Sequence, residues 1–282
     1  MKILDLYNNS VEELKNKDIL TSKLDVKILL SYVLNIDSKN LILYFNEKIS
    51  DENLKKFNLL LSRRLKREPI ANIIEKKSFW DFDFFVNENV LTPRNDSEIL
   101  IEAVLENFTD INKNYKILDL GTGSGCLVLT LLKIYENANA LAVDISEKAL
   151  DVAKINAKNL SVNNIKFLKN NWNDEIEDKF DIIISNPPYI PKEEISTLEP
   201  EVKDFNPMLA LDGGNDGLDC YKYLSKNLKR NLKENTILFL EIGKGQEDDI
   251  IKIFESENFK LKKIYKDLAG VNRILCFKTL GI

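Results

Sequence analysis

KILDLGTGSGC, residues 116–126, carries the signal that separates an α/β chain from the other fold classes. Ile117, Leu118 and Leu120 form a short apolar run around Asp119, three glycines then break it, and LVLTLLKI (127–134) resumes an apolar pattern. A buried strand, a tight turn and a helix fit that order. Glycine lets the backbone turn sharply and approach a ligand, while the helix behind the turn offers free N–H groups. The spacing is G-x-G-x-G rather than the G-x-G-x-x-G of dinucleotide sites. Asp144 ends the next expected strand, 23 residues after Gly121, where a carboxylate accepts hydrogen bonds from a ribose diol. Turn and acid together point to a nucleoside-containing cofactor.

The same alternation continues on both sides. Strands are expected near 116–120, 140–145, 165–169, 180–185 and 236–242, and helices near 96–107, 124–136, 146–159, 218–233 and 246–257. Continuous Ile/Leu/Val strands with helices between them predict a parallel sheet covered on both faces. At the end, FKLKKIYKD and NRILCFKTL are separated by little more than Gly270, too little chain for a crossover helix, so this pair is expected to be antiparallel. Upstream, Trp80, Phe82 and Phe84 alternate with Asp81 and Asp83, which predicts strand, with a hairpin turn at Asn87-Glu88-Asn89. The first 70 residues read as helices: Ser10 with Glu13 and Ser22 with Asp25 resemble capping pairs, Leu54, Phe57, Leu61 and Leu65 form one stripe, and Pro69 ends it. Segments 1–75, 76–92 and 93–282 are thus expected as a helical domain, a β-hairpin linker and an α/β domain.

Composition narrows the chemistry. The 282 residues contain no histidine, which removes Ser-His and Cys-His nucleophiles, His metal sites and imidazole general bases. A further expectation follows: no side chain should give a catalytic pKa near that of histidine. Cys126, Cys220 and Cys276 are an odd, scattered set that supports neither a disulfide framework nor a zinc site. No secretory h-region opens the chain and no apolar run reaches the ~18 residues of a membrane span, so a cytoplasmic location is expected. Residues 1–75 hold 13 Lys/Arg against 11 Asp/Glu, while 76–282 hold 27 against 34. Six bases, Lys55, Lys56, Arg63, Arg64, Lys66 and Arg67, lie between Glu52 and Glu68 with no acid among them, a candidate docking face or a plain solvated helix face.

A second motif follows the fourth α/β strand: Ser185-Asn186-Pro187-Pro188-Tyr189-Ile190. In open α/β sheets ligands bind beyond the carboxyl ends of strands, so this segment and the glycine turn should share a crevice. Two prolines stiffen the backbone and remove two donors, leaving acceptors: their carbonyls and the Asn186 amide oxygen. Acceptors beside the Tyr189 ring suit a planar NH2 group, of an amide or of adenine.

With both motifs in view, Asp119–Gly125 plus Asp144 resembles the S-adenosylmethionine site of class I methyltransferases, and Asn186–Tyr189 resembles the NPPY motif of members that methylate amino groups. RRLKREPIANI (63–73), FWDFDFFVNENVLTPRNDSE (79–98), SNPPYIP (185–191) and ALDGGNDGLDCYK (210–222) are similar to segments of the release factor glutamine methyltransferase family, PrmC or HemK. Asn95 departs from it, since the family usually has Pro there. The resemblance implies an α/β fold, a Rossmann-like seven-stranded methyltransferase sheet with a reversed last strand, plus a small N-terminal all-helical domain that binds substrate. It implies S-adenosyl-L-methionine as methyl donor, S-adenosyl-L-homocysteine as product and no metal. Gly121, Thr122, Gly123, Ser124, Gly125, Asp144, Trp172 and Asn186 would bind the cofactor, with Asp144 on the ribose and Trp172 beside the adenine. Asn186, Pro187, Pro188 and Tyr189 would hold the substrate, of which Asn186, Pro187 and Tyr189 are the catalytic candidates. The implied partners are class I peptide chain release factors, methylated on the glutamine of Gly-Gly-Gln, with no membrane and no direct nucleic-acid substrate. Three rivals remain: a glutamine methyltransferase of a ribosomal protein, an N6-adenine methyltransferase, and a binding module without catalysis.

Overall fold

The computed structural model describes residues 1–172 and 176–279; positions 280–282, the end of the expected 93–282 segment, lie outside that range. The chain divides into two units, Met1–Lys76 with Glu199–Phe205, and Lys77–Leu198 with Asn206–Ile282.

In the first unit, α1 (Ile3–Lys15), α2 (Ser22–Leu34), α3 (Asp51–Arg64) and α4 (Ile70–Ile73) bury Leu14, Val26, Leu29, Leu30 and Phe57 completely. The expected α3 stripe is present: Phe57 and Leu61 are buried and Leu54 and Leu65 pack against them. Both expected caps need correction. Ser10 lies buried inside α1, and Ser22 is the first residue of α2 behind Thr21. Asp25 is taken up elsewhere: its Oδ2 accepts from Thr21 Oγ1 at 2.8 Å and from Arg64 Nε at 2.7 Å. Arg64, with its side chain 6% exposed, also donates to Glu201 at 3.0 Å. Neighbouring Arg63 pairs with Glu68 at 2.6 Å and Arg67 with Glu201 at 2.9 Å. Four of the six bases in the run, Lys56, Arg63, Arg64 and Arg67, thus pair with acids of this unit.

The second unit opens with a hairpin, β1 (Lys76–Phe79) and β2 (Phe82–Phe85). Its turn falls at Trp80-Asp81, not at Asn87–Asn89: Trp80 takes a left-handed φ of +54° and its N–H donates to Glu98 at 2.8 Å. Asn87 instead accepts from Asn89 N–H in a local turn. Then come α5 (Glu98–Asn107), β3 (Lys116–Leu120), α6 (Cys126–Ile134), β4 (Asn139–Asp144), α7 (Glu147–Asn159), β5 (Ile165–Lys169) and β6 (Phe180–Ser185). The short α8 (Pro200–Lys203) belongs to the first unit, and α9 (Asp219–Asn227), β7 (Leu232–Glu241), α10 (Glu247–Glu255), β8 (Phe259–Lys266) and β9 (Asn272–Thr279) complete the second.

Seven strands pair in the order β5-β4-β3-β6-β7-β9-β8, parallel except for β9, which runs antiparallel to both neighbours. Period two explains the apolar runs. Ile117, Ile182, Ile184 and Phe239 point into one core, with Leu100, Val104, Val128 and Leu132 of α5 and α6. Leu118, Leu120, Ile183, Leu238 and Leu240 point into a second core, with Tyr221, Leu224, Ile250 and Phe254 of α9 and α10. Each such side chain fully buried contributes about 1.5–3 kcal/mol, so a strand with both faces covered must be apolar throughout. Helix α9 ends earlier than the expected 218–233: after a 3-10 turn the chain enters β7 at Leu232, where a register shift against Phe180 and Ile182 absorbs polar residues 233–236.

Candidate functional site

Sheet order places the site. β3 pairs with β4 on one side and with β6 on the other, so the chain reverses its direction of strand addition beside β3, and a crevice opens beyond the carboxyl ends there. In the register, Leu120 sits opposite Val143 and Ser185, and Ser185 opposite Leu240. The next residues, Asp144, Gly121, Asn186 and Glu241, consequently form a row along the sheet edge.

The turn after β3 is built around buried acids. Gly121 and Thr122 N–H both donate to Val143 O at 2.9 Å, and Gly123 N–H donates to Asp144 Oδ2 at 2.9 Å. Asp144 Oδ1 accepts from Ser146 N–H at 2.9 Å. Burial raises the Asp144 carboxyl above its usual range, while these backbone donors pull it back. One strand position earlier, Asp119 is 1% exposed; Oδ2 accepts from Thr122 Oγ1 at 2.6 Å and Oδ1 has no partner among the described residues. Burial drives its pKa to about 7, opposed by Thr122 and reinforced by Asp144. Gly125 caps α6 with φ +79°, and a Cβ there would lie 3.0 Å from Leu129 and 3.3 Å from Ala153, so it serves helix packing. At Gly121 the edge of the Trp172 ring lies 3.5 Å from where a Cβ would be. Trp172 is held from behind: Tyr223 Oη donates to its carbonyl at 2.8 Å.

A cavity of about 350 Å³ joins these parts. Its wall includes Gly121, Thr122, Gly123, Ser124, Asp144, Trp172, Asn186 and Pro188, all expected from sequence. Gly125, Pro187 and Tyr189 stand outside that wall; Pro187 is buried, and Tyr189 packs against the second core, where burial pushes its hydroxyl up to about 12. The volume lies in the range of small-molecule sites. An acid at the end of β4, a glycine that leaves room beside an indole ring, and backbone donors at the head of α6 suit a nucleoside with a charged tail.

The acceptor segment is held by a loop that motif reading left without a role. Ile190 N–H donates to Leu211 O and Gly213 N–H to Ile190 O, which zips 210–214 onto the segment after Tyr189. A Cβ at Gly213 would stand 2.9 Å from the Pro188 carbonyl oxygen, so only glycine permits the approach. Ser185 Oγ donates to Leu120 O at 2.7 Å, tying the two motifs together. Sequence reading also missed Arg94, Ser97, Leu209, Asp212 and Cys220, which line the cavity, and Asn156, which supports it. Asn156 is fully buried: its amide donates to Phe85 O and Ser124 O, both at 2.9 Å, and accepts from Phe85 N–H at 2.7 Å. The one available signal was its place in the α7 pattern, where a polar residue faces the core.

Comparison with known proteins agrees with this layout. A model described as a methyltransferase domain matches residues 111–277, and one described as the PrmC N-terminal domain matches 5–74. A release factor glutamine methyltransferase of Clostridium acetobutylicum is 38% identical over 281 residues, 98% of this chain and 98% of its own. A bifunctional methyltransferase of Rickettsia conorii is 35% identical over 305 residues, 99% of this chain but 58% of that protein, so the chain spans little more than half the length of such relatives. A methyltransferase structure from Pyrococcus furiosus superposes with a TM-score of 0.55 at 18% identity, covering 78% of this chain and 99% of that one, a likeness of fold.

Proposed function

The chain belongs to the release factor glutamine methyltransferase family, and from that premise we propose that it transfers a methyl group to the side-chain amide nitrogen of the glutamine in the Gly-Gly-Gln motif of class I peptide chain release factors. The observation that supports the reading is that Asp144, Gly121 and Asn186, neighbours in the strand-end row, line one cavity, which suits a nucleoside-type group beside an amide acceptor. S-adenosylmethionine, when bound, supplies a methyl group on a sulfonium whose sulfur leaves with the bonding pair. Asp144 is suited to the ribose hydroxyls, the 121–124 turn to the polar tail and Trp172 to the base.

An amide nitrogen is a weak nucleophile, since its lone pair is delocalised into the carbonyl. In this account Asn186 Oδ1 and the Pro187 carbonyl each accept one N–H of the glutamine amide and hold the nitrogen toward the methyl group. Two neutral hydrogen bonds supply only about 1 kcal/mol each, so orientation, which can contribute ~7–11 kcal/mol, does the larger share. No base is needed before attack; the methylated nitrogen is strongly acidic and releases its proton to water afterwards. The reaction fits a protein of the cytoplasm, where release factors are made; among the described residues no helix is long and apolar enough to cross a membrane.

Radiolabelled methyl donor with a release factor, a ribosomal protein and an adenine-containing oligonucleotide in parallel tests the substrate. Label in the release factor is expected. Label confined to either other acceptor overturns the reading.

A further inference from the structure

Glu241 closes β7, 3% exposed, beside Asn186 in the strand-end row, and nothing in the reaction as described uses it. A carboxyl so buried is costly unless its surroundings hold it. Here they are specific. Against the rise that burial causes, Ser97, in the turn before α5, and Asn186 act on the carboxyl as donors and pull its pKa down. Asn186 Nδ2 also lies 3.5 Å from Ser97 Oγ. Oε2 of Glu241 has no partner among the described residues. Arg273 on β9 and Asp96 act on the carboxyl with opposite signs, and Arg273 is itself held by Asp267 at 2.8 Å and Asp96 at 2.9 Å. The other ionisable neighbours, Tyr189 on the acceptor segment, Tyr221 on α9 and Cys126 on α6, are all pushed up by burial and stay neutral.

We propose that Glu241 is a positioning residue for methyl transfer: its carboxylate takes the Asn186 Nδ2–H and thereby turns Oδ1 toward the cavity, where an acceptor is needed. The two ends of an amide are nearly equal in size, so shape alone cannot choose which one faces the substrate. Ser97 cannot choose either, because a hydroxyl both donates and accepts. A carboxylate only accepts, and its hydrogen bonds are roughly twice as strong as neutral ones. Burial brings Glu241 to about 7. Above that pH the carboxylate selects the productive amide orientation; below it a carboxylic acid O–H competes for Oδ1. This inference rests on the reading of Asn186 as acceptor for the substrate amide.

The test is the pH dependence of kcat in the wild type, Glu241→Gln and Ser97→Ala, with cofactor affinity and thermal unfolding measured alongside. Wild-type kcat should fall as pH drops through about 7. In Glu241→Gln the new NH2 can donate to Oδ1, so kcat should drop by about tenfold or more at mildly alkaline pH, with the acid limb gone and cofactor affinity kept. Removing the Ser97 hydroxyl takes away a donor that lowers the Glu241 pKa, so the Ser97→Ala limb should move to higher pH. An acid limb that persists in Glu241→Gln, or one that does not move in Ser97→Ala, overturns the proposal. Should Glu241→Gln fail to fold, the Ser97→Ala limb decides alone. A wild type that leaves release factor glutamine unmethylated would instead overturn the reading of the substrate.

Discussion

In the proposed reaction the acceptor role falls to one side chain, Asn186, which lines the cavity. Asn186→Ala removes the amide acceptor but none of the contacts at Asp144 or the glycine turn, so turnover should fall by more than about tenfold with cofactor affinity changed only slightly. Single-turnover rates set against calorimetric affinity check this, and a parallel loss of both would assign Asn186 to cofactor binding instead. Asp119 makes a different point. The lack of histidine does not clear the site of groups that titrate near neutrality, as composition led us to expect, because burial raises Asp119 and Glu241 to about 7. The sign follows from proton counting. Between the ordinary carboxyl value of 3.8 and about 7 the folded protein keeps a proton on Asp119 that the unfolded chain has lost. Its contribution to stability is complete below that window and is lost as pH rises through it. Asp119→Asn, which keeps an acceptor for Thr122, should flatten the decline of Tm from acid to neutral pH, and curves parallel to wild type would contradict the assignment.

Among elements, the hairpin and the glycine turn depend on one another through Asn156. Asn156→Ala strips three hydrogen bonds at once and leaves the Phe85 N–H without a partner. A loss of about 2–4 kcal/mol is expected, a fall in Tm of roughly 5–10 °C in a unit of this size, and an unchanged melting curve would contradict it. How much of this was legible follows from the kind of signal each part left. The central strands were readable because burial on both faces forces continuous apolar runs, and the crevice shared by the glycine turn and the NPPY segment was readable because both follow the carboxyl ends of strands at the switch point. The hairpin turn was not: at Trp80-Asp81 an aromatic residue takes a left-handed backbone, held by Glu98 from a distant helix, while Asn87–Asn89 carried the usual turn residues. Ser22-Asp25 failed as a cap for a similar reason, since Arg64, 39 positions away in sequence, claims the carboxylate. Long-range partners leave no trace in local patterns.

For the whole molecule, the two units answer to different physics. The helical one holds its segment 199–205 through Glu201, which pairs with Arg64 at 3.0 Å and Arg67 at 2.9 Å, while Arg64 also bonds the buried Asp25. The α/β one carries a full cofactor-type crevice within its own residues. Without imidazole, the proposed transfer draws on a reactive methyl donor and on acceptors that aim an amide nitrogen at it. The most direct test is the position of the methyl group. A bacterial class I release factor incubated with the protein and S-adenosylmethionine, then digested and fragmented in a mass spectrometer, should carry one added methyl on the side-chain amide of the Gly-Gly-Gln glutamine. A methyl group on any other residue, or a release factor left unmodified while another acceptor is methylated, would contradict the account.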